Sequence, residues 1–142
     1  MDLPEALIAT RIDRGSILHT DCIEGVDHGK FFVIMGISQD EIAGFFFINS
    51  RIHPSIFIKG KQEQLNLQYP MRRVDYPFLK YDSFLCATNI ITLEKSKLVQ
   101  DMKDGTARCV SEMKREHMEE ILGMVRGSKV FSKIEKDRFF YH

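Results

Sequence analysis

Two apolar runs dominate the pattern of the chain: Phe31 to Ile37 (FFVIMGI) and Ile42 to Ile48 (IAGFFFI), separated by the polar stretch Ser38-Gln39-Asp40-Glu41. Each run is far short of the about 20 apolar residues that cross a bilayer, and both are rich in Phe, Val and Ile. Paired runs with a short polar link predict a β-hairpin buried on both faces, at the centre of a small sheet. Its ends carry Lys30 on one side and Asn49, Ser50 and Arg51 on the other, polar groups held at a rim.

The pattern outside the hairpin predicts further elements. Asp2 and Glu5 form a capping box with Pro4 in the first turn, and Leu7, Ile8 and Ile12 give a short helix an apolar side, ended by Arg14-Gly15. Ser16 to Thr20 predicts a strand, and Asp21 to Gly29 a polar loop. His53-Pro54 ends the second hairpin strand. Short strands follow at Ile56 to Ile58 and at Leu65 to Tyr69, the latter closed by Pro70. Ser83 to Ile91 predicts one strong strand. Beyond Leu98 the period changes: Met118, Ile121, Leu122 and Val125 recur at helical spacing, with Ser111 a suitable N-cap and Gly127 a suitable stop. Val130, Phe131, Ile134 and Phe139 predict a second helix. The expected architecture is mainly β, of α+β class, with five to six strands at residues 15–98 and one or two C-terminal helices, the first at 111–127. One domain is expected over residues 1–142.

Composition changes this picture little. The 142 residues are 44% hydrophobic and 28% charged, with zero net charge, so no global field recruits a polyanion. The balance is uneven: three basic and eight acidic residues at 1–50, six and two at 51–80, eleven and ten at 81–142. The middle segment is thus locally basic and could bind phosphate, although so small an excess is common by chance and a merely solvated face is the better account of it. Cys22, Cys86 and Cys109 are odd in number and widely spaced. Reduced thiols and a cytoplasmic location are expected, and the acidic N-terminus lacks the features of a signal peptide or membrane anchor.

Few constellations carry chemistry. Arg72-Arg73, between Tyr69 and Tyr76, interleaves cations with aromatics as a single-stranded nucleic acid requires, and serves equally as plain loop chemistry. His19, Asp21, Cys22, Glu24, Asp27 and His28 crowd ten residues, but their spacing fits no strong zinc pattern. No metal and no cofactor are expected. Cys86, inside the predicted strand and far from any histidine in sequence, reads as a buried structural thiol rather than a nucleophile.

Five segments together resemble the MazF/PemK (Kid) toxin family. GSILHTD (Gly15 to Asp21) is similar to its opening strand, HGKFFVIMGIS (His28 to Ser38) to its second strand, and FFFINS (Phe45 to Ser50) to the strand ending on a functional Ser or Thr. DSFLCATNIITLEKSKL (Asp82 to Leu98) is the nearest match, and SEMKREHMEEILGMV (Ser111 to Val125) falls where the family has its C-terminal helix. The resemblance spans roughly residues 15–125 and rests on order and spacing. One departure is plain: active members usually carry Arg-Pro at the start of the second strand, and Lys30-Phe31 stands there. Lysine keeps the charge but lacks the planar bidentate fork of arginine.

The resemblance implies a small SH3-like β-barrel acting as a homodimer, a toxin-like endoribonuclease that cleaves single-stranded RNA without metal and is neutralised by an antitoxin protein. In that chemistry a base activates the ribose 2′-hydroxyl, a cation stabilises the phosphate and an acid protonates the leaving oxygen. By matched position Lys30 would be the cation and Ser50 a phosphate ligand, while Arg51 and His53, just beyond, would supply charge or proton transfer. The loop between the first two strands gates the substrate channel in that family. The alternative is a non-catalytic small-barrel module that binds RNA or a protein partner through Lys59 to Lys80. A purely structural barrel protein is the third reading.

Overall fold

The computed structural model describes residues 12–21, 29–52 and 62–141. The expected N-terminal helix, apart from Ile12, lies outside the described residues, as do the Ile56 to Ile58 strand, His53, and Cys22 to His28 of the first loop.

The hairpin forms as its pattern predicts. Strand β2 (Lys30–Ile37) pairs antiparallel with β3 (Ile42–Asn49) from Phe31 opposite Ile48 to Ile37 opposite Ala43, with a shift in register between Ile34 and Gly36. The link closes because the Ser38 N–H donates to the Ile42 carbonyl (2.8 Å) and the Ile42 N–H to Ser38 Oγ (3.0 Å). Around it lie β1 (Ser16–Thr20), β4 (Gln68–Met71), β5 (Ser83–Cys86), β6 (Ile91–Glu94) and β7 (Ala107–Glu112). All seven strands join one antiparallel sheet, in the order β4-β5-β3-β2-β1-β7, with β6 pairing the first half of β3. The mainly-β, α+β class is as expected, with seven strands among the described residues where five or six were expected. Among the described residues the pairings end at β4 and β7 without joining them, so the sheet is open.

Both faces of the hairpin are covered. Val33, Met35, Phe46 and Ile48 belong to the larger core, beneath helices α3 (Arg115–Gly127) and α4 (Lys133–Phe139). Leu18, Phe32, Ile34, Ala43 and Phe45 pack on the other face with Ile12 and with Leu98 of α2 (Lys95–Asp104). A fourth helix, α1 (Gln62–Asn66), precedes β4.

Several local expectations are overturned by pairing. Ser111 is not an N-cap: residues 107–112 pair with β1, with Ser111 opposite Ile17, so the helix starts at Arg115 behind Lys114. The stripe Met118, Ile121, Leu122 and Val125 is buried as expected. The single strand predicted over Ser83 to Ile91 is two strands, because the chain leaves β3 between Cys86 and Ile91, and the Ala87 N–H turns to the Leu67 carbonyl (3.0 Å). Leu65 and Asn66 are helical, and the strand starts at Gln68 and runs through Pro70. Proline is tolerated there because β4 is an edge strand. In α4, Ser132 and Glu135 form a reciprocal capping box, Phe131 and Phe139 are buried, and Ile134 faces solvent instead of the core.

Candidate nucleic-acid interface

Antiparallel pairing decides which polar residues share an end of the sheet. Thr20 lies opposite Lys30, Asn49 opposite Phe84, and Met71 opposite Ser83. The ends of β1, β3 and β4 and the starts of β2, β5 and β7 therefore form one rim. Lys30, Ser50, Arg51, Arg72 and Arg73 all fall on it, so two candidate groups that lie apart in sequence converge. The opposite rim carries Asp40, Glu41 and Glu94.

Lys30 is half-buried there. Its ammonium donates to Asn49 Oδ1 and sits 5.1 Å from the centroid of the Phe47 ring. Burial pushes its pKa below the usual lysine value, and the nearby Cys86 thiol offsets part of that. The partner of Lys30 is thus Asn49, a residue whose role no motif signalled; Ser50 and Arg51 are exposed just past the strand. Cys86 is at the end of β5 rather than mid-strand and only half-buried, with Thr88 Oγ1 at 3.2 Å and Gln68 Nε2 donating at 3.5 Å.

The Arg72-Arg73 segment opens a tied loop, residues 72–82. The Arg73 N–H donates to Asp82 (2.8 Å) and Arg73 Nε to the Leu79 carbonyl (3.1 Å), so this guanidinium holds the loop together. Arg72 is exposed. The flanking aromatics do not serve as expected: Tyr69 is 8% and Tyr76 1% exposed. Tyr69 donates to Glu120 (2.6 Å), and burial, reinforced by that bond, holds its phenol well above the usual tyrosine range. Tyr76 Oη lies 2.7 Å from His117 Nδ1 and accepts from the Lys114 N–H (3.0 Å).

These contacts dock the loop on α3, and they predict a stability asymmetry. Tyr76→Phe removes from a buried side chain the hydroxyl that accepts from the part-buried Lys114 N–H and pairs with His117, and is expected to cost about 1–2 kcal/mol. Tyr69→Phe only returns the exposed Glu120 carboxylate to water and costs less. Urea denaturation of the two variants checks the order; equal costs would contradict it.

His19 is the histidine that the described residues place on this rim. Its Nδ1 lies 3.8 Å from Asp21 Oδ1, its ring packs at 4.8 Å on Phe31, and a Cβ at Gly29 would fall 2.4 Å from the imidazole. Since His19 pairs with Phe31 while Thr20 pairs with Lys30, the imidazole and the ammonium leave opposite faces of the sheet. Among the described residues no cluster of three His, Cys, Asp or Glu side chains could hold a metal, and no helix is long and apolar enough to cross a membrane. A shallow hollow of about 510 Å³ lies at the other end, lined by Ser38, Gln39, Asp40, Ile134, Asp137 and Arg138. Its acidic groups and the Arg138–Asp40 ion pair make it a poor seat for a phosphate. The cationic rim is the better candidate on chemical grounds.

The chain matches no protein-family model and no curated protein.

Proposed function

We propose that the chain binds single-stranded RNA at the Lys30 rim and cleaves it without metal, in the manner of the MazF/PemK-like toxins whose strand order its sequence resembles. The observation that supports this reading is the convergence of Lys30, Ser50, Arg51 and Arg72 at one end of the sheet. In this reading Lys30 contacts the scissile phosphate from a site preset by Asn49 and Phe47, and Arg51 and Arg72 hold flanking phosphates. Ser50 donates to a phosphate oxygen. Proton transfer is assigned to His53 by its matched position, since His19 leaves the opposite face of the sheet from Lys30. Attack by the 2′-hydroxyl gives a cyclic phosphate on one fragment and a free 5′-hydroxyl on the other. An antitoxin protein and a second copy of the chain belong to the same proposal.

The test is incubation of the purified chain with single-stranded RNA in the presence of a chelator. Fragments with cyclic phosphate ends are expected. Binding should weaken with salt at a log–log slope of about −0.7 per phosphate contact, and Arg72→Ala should make it shallower by about that amount. Neither binding nor cleavage would overturn the proposal.

A second reading has its own observation. His19 and Lys30 project from opposite faces of β1 and β2, an arrangement better suited to holding RNA than to cutting it. Salt-sensitive binding with no fragments would establish this non-catalytic module in place of the nuclease.

A further inference from the structure

The 72–82 loop buries Tyr76, partly buries Phe78 and displays a third aromatic, Tyr81. Tyr76 and Leu79 anchor it to the core, while Tyr81 is 65% and Val74 75% exposed. Tyr81 stands two residues before β5, and the Ser83 hydroxyl donates to its carbonyl at 2.7 Å. Met71 pairs with Ser83, and the Arg73 N–H reaches Asp82, so the loop closes with Arg72 on one strand of the closure and Tyr81 on the other. Ser50 and Arg51 continue from Asn49, which pairs with Phe84, toward the same end. The loop's Asp75 is already paired with Lys114 at 3.0 Å. The outcome is an exposed aromatic side chain on a tied backbone, at the end of the sheet that also carries the exposed cations Arg51, Arg72 and Lys80 and the Asp82 carboxylate engaged by the Arg73 N–H.

We propose that Tyr81 is the base-stacking residue of this rim, receiving the face of one nucleobase while the neighbouring cations hold the phosphates of the same single strand. The assignment rests on the RNA-binding reading above and adds to it the requirement for an unpaired base. A large aromatic ring in water is a standing cost that stacking on a base relieves, and the tied backbone leaves little loop entropy to lose on binding. Phosphate charge complements the cations, and a duplex, whose base faces are hidden, satisfies only the cations.

The experiment compares two single strands of about 12 nucleotides, within the range of single-strand site sizes: an oligouridylate and an abasic strand of the same backbone charge. Tyr81→Ala is expected to weaken oligouridylate binding about tenfold, in line with the loss of one base–aromatic stack, and to leave abasic binding unchanged. Tyr81→Phe should restore the oligouridylate. Unchanged oligouridylate binding by Tyr81→Ala would overturn the assignment while leaving the RNA reading intact, and so would equal losses on both strands. Failure of the parent to bind either strand would overturn both, as would preferential binding of polyglutamate, which would make the partner an acidic protein. Because Tyr81 is exposed, the alanine variant keeps the core, and an unaltered unfolding midpoint verifies that.

Discussion

Replacing Gly36 with alanine is expected to destabilise the fold by about 3–5 kcal/mol. A Cβ at Gly36 would lie 2.2 Å from the Phe139 carbonyl oxygen and 3.0 Å from its carbonyl carbon. These are backbone atoms, and no rotamer change relieves them. Gly44, directly opposite Gly36, completes the notch: a Cβ there would meet the Phe139 ring at 2.7 Å. Arg14 stitches the same place, donating from Nε to the Met35 carbonyl (2.8 Å) and from the other end of the guanidinium to Phe139 O (3.1 Å). A methyl group at position 36 therefore pushes α4 off the sheet. Overpacking alone costs about 1–3 kcal/mol. Exposing Phe139 and Phe140, both almost fully buried, adds about 1.5–3 kcal/mol each if complete, and partial relaxation keeps the total below that sum. Urea unfolding should show a large fall in midpoint at little-changed slope. Gly123→Ala is the control: nothing lies within 4 Å of that position on α3, and there alanine is expected to stabilise by about 0.5–1 kcal/mol. A Gly36→Ala cost under about 1 kcal/mol, on the scale of an ordinary surface change, would refute the notch.

The same notch shows what was and was not legible in the residues. Alternation and run length revealed β1, β2 and β3, and helical spacing revealed the core stripe of α3, since in each case the periodicity itself records the buried face. Gly36 and Gly44 read in sequence as mere interruptions of apolar runs. Their meaning depends on Phe139, about a hundred residues away, which no local pattern connects to them. β7 was hidden for a related reason: Ser111 carries a good local capping signal, and pairing with β1 overrides it. Helix α2 left a fainter trace in Leu98, Val99 and Met102, followed by Gly105 at φ +80°, a recognisable C-cap. The rim divides in the same way. Lys30 and Arg72 were visible as charges at element ends. That Tyr69 and Tyr76 are consumed by α3, leaving Tyr81 displayed, follows from Glu120 and His117, contacts that a local reading of the loop could not supply.

Lys30→Met is expected to separate function from stability in opposite directions. Burial, the leading influence on Lys30, places its folded-state pKa below the unfolded value of 10.5, so the unfolded chain holds the proton more tightly. The folded state is thus penalised at neutral pH. That penalty fades as pH rises from the folded-state pKa toward 10.5, because stability increases with pH wherever the unfolded state binds more protons. Methionine keeps the apolar stem over Phe47 and removes the charge. The variant should be at least as stable as the parent near neutral pH, and its advantage should shrink on going alkaline. Meanwhile the charge-assisted contact to a phosphate is lost, about 1.5–3 kcal/mol, or roughly 10–100-fold in RNA affinity, with cleavage falling by at least as much. A lysine that merely ends a strand in solvent would change neither quantity. Thermal unfolding across pH beside RNA binding decides the matter: a destabilised variant that still binds RNA like the parent would make Lys30 a structural residue and remove the cation from the proposed site. A variant that is as stable as the parent but binds RNA more weakly would mark Lys30 as a charge the fold holds for what it binds.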